Sequence, residues 1–158
     1  MNRTIRVIRK NISLTEKFNF DSIRYMENAM EMEKLKTIFE KYPEIKLVYF
    51  FGSRAQGDYN SLSDYDFAIY LDTTDKNRIF EIRAMLMDQV ARIYKTDKVD
   101  VVVINSTQSP EMKYNIIFGG KLIYEKEPYK IILEPKIFNE YFDFRMSLEK
   151  NNLVKAKK

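Results

Sequence analysis

Between residues 26 and 42 the apolar side chains Leu35, Ile38, Phe39 and Tyr42 recur three and four apart, with Glu and Lys between them, until Pro43. That spacing predicts a helix over 26–42. Ile45-Lys46-Leu47-Val48-Tyr49-Phe50-Phe51 is a short apolar run closed by Gly52, which predicts a strand buried on both faces and central in its sheet. Tyr65-Asp66-Phe67-Ala68-Ile69-Tyr70-Leu71 has the β-branched and aromatic character of a second strand. Ile79, Ile82, Leu86, Val90 and Ile93 then fall at helical spacing and predict a long amphipathic helix over 77–94 that crosses to a third strand, 99–104. A short helix after Pro110, a strand around Leu122-Ile123-Tyr124 behind Gly119-Gly120, and a last helix over 135–150 complete the pattern. Residues 1–25 show no sustained period and are read as an N-terminal extension, 26–150 as one domain, and 151–158 as a basic tail.

The composition removes whole classes of chemistry. Among 158 residues there is neither Cys nor His, so disulfides, thiolate nucleophiles, Cys/His zinc sites and any Ser-His-Asp triad are excluded within the chain. The formal charge is +4, and the ends supply it: Arg3, Arg6, Arg9, Lys10 and Lys17 at one, Lys150, Lys155, Lys157 and Lys158 at the other. A slightly acidic body with basic ends argues against a basic nucleic-acid groove. No stretch approaches the ~20 apolar residues of a membrane span, and the N-terminus lacks the apolar core of a secretion signal. The expectation is a soluble, cytoplasmic protein.

Two of only four glycines flank one turn, Phe51-Gly52-Ser53-Arg54-Ala55-Gln56-Gly57-Asp58. It is not a GxxxxGK[ST] phosphate loop, because Asp58 and Tyr59 follow Gly57 where Lys and a hydroxyl would be needed. It does place a glycine at a strand end and a serine at the start of a helical turn, where backbone N–H groups and a hydroxyl can meet phosphate oxygens. After ten intervening residues Ser53 is followed by Asp64-Tyr65-Asp66. Strand alternation sends both carboxylates to one face, with Tyr65 and Phe67 on the other. Two such carboxylates repel unless a cation neutralises them, and a hard divalent ion with oxygen ligands, magnesium foremost, meets that need. Asp100 interrupts an otherwise apolar strand, which is costly unless something binds it. If its strand lies beside that of Asp66, three carboxylates face one point, able to hold two ions against a nucleoside triphosphate and to help deprotonate an attacking hydroxyl.

Gly52-Ser53, ten residues, Asp64-X-Asp66 and a lone strand Asp at Asp100 together resemble the nucleotidyltransferase superfamily that includes polymerase beta, and the short chain most resembles its minimal nucleotidyltransferase (MNT) branch. The resemblance covers about residues 30–125. It implies an α/β (α+β) fold with a mixed sheet and flanking helices, ATP as donor, and transfer of AMP to a hydroxyl with release of pyrophosphate. Carried over residue by residue, it implies that Gly52 and Ser53 hold the triphosphate, that Asp64 and Asp66 bind Mg2+, and that Asp100 completes the metal site and serves as base. It also implies a partner, since many MNT proteins are antitoxins of HEPN-domain toxins, some of which they inactivate by adding AMP to a tyrosine. The pattern departs from relatives at Gln56, where Arg is frequent.

Blander readings stand beside these. Asp-X-Asp after a polar turn also serves as a solvated strand start, and Asp100 as an edge-strand charge that blocks aggregation. Ser53 has no base beside it and is read as a phosphate ligand or a helix cap, not a nucleophile. Arg54 suits either a phosphate contact or an ion pair shaping the loop. Phe138, Tyr141, Phe142 and Phe144 spread over more than one face of the last helix, as core packing or as a surface for a partner. The rival functions are a small-molecule (antibiotic or metabolite) nucleotidyltransferase acting as a homodimer, and a non-catalytic antitoxin acting by occlusion.

Overall fold

A computed structural model of the chain describes residues 29–58, 60 and 62–153. The expected extension 1–25, the start of the first helix and residues 154–158 of the basic tail lie outside them. The chain divides into two units, Met1–Leu35 and Lys36–Lys158, and the second carries the sheet and all that follows.

Residues 29–40 are helical (α1). Strand β1 spans Ile45–Phe51 and runs straight into a five-residue helix, α2, Gly52–Gln56. Strand β2, Tyr65–Leu71, is followed by α3, Lys76–Tyr94, and β3, Val99–Val103. A 3-10 turn over Ile104–Ser106 leads to α4, Pro110–Gly119, then β4, Lys121–Glu125, and α5, Tyr129–Lys150. The caps follow the sequence: Asp75 accepts from Asn77 N and Arg78 N at the start of α3, and Ser109 accepts from Met112 N ahead of Pro110 at the first position of α4.

The sheet order is β3-β2-β1-β4. β1 pairs antiparallel with both β2 and β4, and β2 pairs parallel with β3, so the sheet is mixed and the α3 crossover joins its parallel pair. β1 is central, as its apolar run predicts: Leu47, Val48 and Tyr49 are consecutive and all buried, which requires cover on both faces. One face presents Phe50, Tyr65 and Phe67 to Tyr94 of α3. The other joins Leu47, Tyr49 and Ala68 to Ile116 and Ile117 of α4 and Ile137 of α5. Tyr49 is buried there and its hydroxyl donates to Glu134 Oε1 at 2.9 Å. Burial, and then that bond, push its phenol well above the usual range.

The last helix begins six residues before the expected 135. Pro135 lies inside it rather than at its start. An interior proline costs about 3 kcal/mol, but Tyr129, Leu133, Ile137 and Phe138 all pack on the core, and burial of a large apolar side chain returns roughly 1.5–3 kcal/mol each. Packing outweighs the local penalty. Of the aromatic group on this helix, Phe142 is exposed while Phe138, Tyr141 and Phe144 are half-buried, and Tyr114 of α4 stacks on Tyr141 at 4.0 Å between centroids.

Candidate active site at one end of the sheet

Three strand ends meet at the same end of the sheet. The last residue of β1, Phe51, is opposite Asp66, the second residue of β2, and Asp66 is in turn opposite Asp100, the second residue of β3. Residues paired directly across a ladder share a face, so Asp66 and Asp100 project to the same side, away from Tyr65 and Phe67. Tyr65 N donates to Lys98 O at 2.9 Å, tying the start of β2 to the approach to β3. Asp64 precedes β2 and is exposed, while Asp66 and Asp100 are half-buried.

Gly52 stands where β1 turns into α2. Its φ is +75°, in the left-handed region that costs an L residue roughly 1–2 kcal/mol. A Cβ built at this position would overlap Oδ2 of Asp66. The backbone at Gly52 and the Asp66 carboxylate therefore occupy one another's space, and only a glycine permits it. Burial first, then the charges of Asp64 and Asp100, push the Asp66 carboxyl above the ordinary range, with Arg54 opposing. The three carboxylates are thus close enough to feel one another. They do not, as the side chains lie, form a grouped trio: among the described residues no three acidic side chains stand close enough together to hold an ion. Asp100 is held by one oxygen, its Oδ1 accepting from Val101 N at 2.8 Å and from Arg83 Nη2 at 3.3 Å.

Ser53 is the second residue of α2, and its carbonyl, not its hydroxyl, closes the turn, accepting from Gly57 N and from Asp58 N at 3.0 Å. No side chain caps the start of this helix, so the Ser53 hydroxyl and the first backbone N–H groups are the polar groups there. Arg54 shapes the loop. Its Nε donates to Ser63 O at 2.8 Å and its guanidinium lies over the Tyr65 ring, 4.0 Å from the centroid. Tyr65 stacks in turn on Tyr94 at 4.0 Å. Gln56 lies against the α4–β4 turn, where a Cβ on Gly119 would come 3.3 Å from its Nε2.

The donor set suits a hard divalent cation: every candidate ligand is a carboxylate oxygen, with Asp66 and Asp100 on paired strands and Asp66 seated against a side-chain-free Gly52. Two residues at this end carried no signal in the sequence. Arg83 falls on the exposed side of an amphipathic helix, and Tyr94 ends the same helix as one more aromatic; only the fold brings either to the carboxylates or to the Arg54 stack.

Residues 33–129 match the family model described as Polymerase beta, Nucleotidyltransferase. A relative, the protein adenylyltransferase MntA of Aphanizomenon flos-aquae (strain 2012/KM1/D3), is 32% identical over 95 residues, which are 56% of this chain and 63% of the relative. The match thus spans less than two thirds of that relative's length. Two solved structures share the fold. A toxin–antitoxin with AMP-PNP has a chain that is 22% identical, with a TM-score of 0.64 and coverage of 75% of this chain and 93% of that one. The tri-AMPylated Shewanella oneidensis HEPN toxin in complex with MNT antitoxin gives 20% identity, a TM-score of 0.60, and coverage of 77% and 92%.

Proposed function

The chain belongs to the polymerase beta nucleotidyltransferase family, and we propose that it transfers AMP from ATP, with magnesium, to a tyrosine hydroxyl of a partner HEPN toxin, so acting as an antitoxin. The observation that carries this reading is the register Phe51–Asp66–Asp100 across three strands with Gly52 turned against Asp66. The donor and acceptor follow the relatives: a protein adenylyltransferase by name, a complex with AMP-PNP, and an AMPylated HEPN toxin bound to its MNT antitoxin.

Asp64, Asp66 and Asp100 would hold the ions, whose charge neutralises the triphosphate and the pyrophosphate that leaves. Gly52, without a side chain, lets the triphosphate approach the backbone, and the Ser53 hydroxyl donates to a phosphate oxygen. The acceptor oxygen forms a bond to the α-phosphorus as the bond from that phosphorus to the pyrophosphate oxygen breaks, and the hydroxyl proton passes to the Asp100 carboxylate. Arg54, which donates to Ser63 O and lies over the Tyr65 ring, would fix the loop on which Gly52 and Ser53 sit.

The test is intact-mass spectrometry of a co-expressed HEPN partner after incubation with this chain, ATP and magnesium, comparing wild type with Asp66→Asn. AMP-sized increments on the partner that vanish in the variant are expected. Stable binding and full neutralisation of the toxin by Asp66→Asn would overturn the catalytic reading in favour of occlusion. Increments only on a small-molecule acceptor would overturn the protein target.

A further inference from the structure

We propose that Arg83 is the positioning residue for Asp100: reaching from α3 around the open edge of β3, it pins that carboxylate by one oxygen so that the other is presented to the cation. The inference rests on the reading of Asp64, Asp66 and Asp100 as magnesium ligands. Among the described residues β3 is an edge strand, paired with β2 alone. α3 lies on the Tyr65 and Phe67 face, as the stacking on Tyr94 shows, whereas Asp100 projects to the opposite face with Asp66. The α3 side chain that meets Asp100 passes the edge of β3 that no described strand pairs.

Arg83 does this with both arms of its guanidinium. Nε donates to Val101 O at 2.6 Å and Nη2 donates to Asp100 Oδ1 at 3.3 Å. The first bond satisfies a carbonyl that an edge strand would otherwise leave to solvent. It also fixes the height of the guanidinium along β3, opposite the residue after Asp100. The second bond joins Val101 N, which donates to the same Oδ1 at 2.8 Å. Two donors thus converge on Oδ1, while Oδ2 makes no hydrogen bond among the described residues. A carboxylate held by one oxygen and presenting the other is the arrangement in which hydrogen-bonded partners orient a metal ligand. The planar fork matters: an ammonium at the same place has no second arm set at a fixed angle to bond the carbonyl and the carboxylate together.

Arg83 also lines a groove of about 320 Å³ beside β3, with Val101, Val102 and Val103 along one wall.

The experiment is a titration of the full-length chain with Mn2+, followed by electron paramagnetic resonance of the free ion and checked by Mg2+ competition, with no nucleotide and no turnover. Wild type, Arg83→Gln, Arg83→Lys, Asp66→Asn and, as a control on the same helix, Arg92→Gln are compared, each shown to be folded by circular dichroism. Loss of an orienting partner typically weakens metal binding about 10–100-fold. That loss is expected for Arg83→Gln, with a smaller loss for Arg83→Lys and none for Arg92→Gln. Affinity of Arg83→Gln within twofold of wild type, or tighter, overturns the proposal while the metal reading stands, provided that Asp66→Asn has lost binding. If Asp66→Asn binds Mn2+ as wild type does, the metal reading falls and this inference falls with it. Should Arg83→Gln fail to fold, Arg83→Lys decides on the same criteria.

Discussion

Gly52 and Gly57 bracket the short helix α2, and a matched pair of substitutions separates what the backbone needs from what the carboxylate needs. Both have left-handed φ, +75° and +84°, so Gly52→Ala and Gly57→Ala should each lose roughly 1–2 kcal/mol for forcing an L residue into that region. In a domain of this size that is about 2–4 °C of Tm per kcal/mol. The two sites differ in one respect. A Cβ at Gly57 meets nothing within 4 Å, whereas a Cβ at Gly52 overlaps Asp66 Oδ2. The Asp66 side chain must rotate away, and a misplacement of about 1 Å in a reacting constellation costs on the order of 100-fold. Thermal unfolding and partner AMPylation, measured on both variants, should give comparable losses of Tm but a fall in transfer of about 100-fold for Gly52→Ala alone. Equal loss of transfer in the two variants would show that α2 geometry, not the Gly52–Asp66 contact, matters. Retention of transfer within threefold by Gly52→Ala would refute the argument outright.

Three further outcomes follow from the packing. The Arg78 guanidinium, 2.6 Å from Glu44 Oε1, holds that carboxyl below the usual range; a depressed acid contributes stability above its unfolded value and loses it as pH falls, so Glu44→Gln should be less stable than wild type at neutral pH and equal in strong acid. A stability gap that persists in acid would contradict this. Tyr49→Phe removes the bond to Glu134 from a buried ring and should cost about 0.5–1.5 kcal/mol in denaturant unfolding; no loss would mean that the bond is offset by solvent on Glu134. Pro135→Ala, at an exposed position inside α5, should stabilise by about 1–2 kcal/mol, the restored helical hydrogen bond less the freedom regained by the unfolded chain; destabilisation would show the helix shaped around the proline.

The strands were legible because burial on both faces leaves little choice of residue: the runs 45–51 and 65–71 become β1 and β2 with the same bounds. The start of α5 was not, since Pro135 mimics a helix start and the true one, after Pro128, has no side-chain cap to announce it. The motif residues Gly52, Ser53, Asp64, Asp66 and Asp100 could be picked out by type and spacing, but their relation depends on register. Nothing local says that Asp66 pairs with Asp100 rather than with a residue one step away, which would turn one carboxylate to the opposite face. Contacts that cross elements leave still less trace. Arg54 could equally have met a phosphate, and the Tyr65 ring that claims it is eleven residues on.

The position of Asp100 makes its two readings compatible rather than rival. As a charge on the edge strand β3 it discourages further strand pairing, and the same edge is what lets Arg83 reach it. Were β3 an interior strand, the Val101 carbonyl would be taken by a neighbour and no α3 side chain could pass to the opposite face. Exposure of that edge therefore has a structural use: it admits a guanidinium from one layer of the fold to a carboxylate on the other. A substitution that buried the edge, by pairing or by bulk, should then disturb Asp100 without touching any of the motif residues.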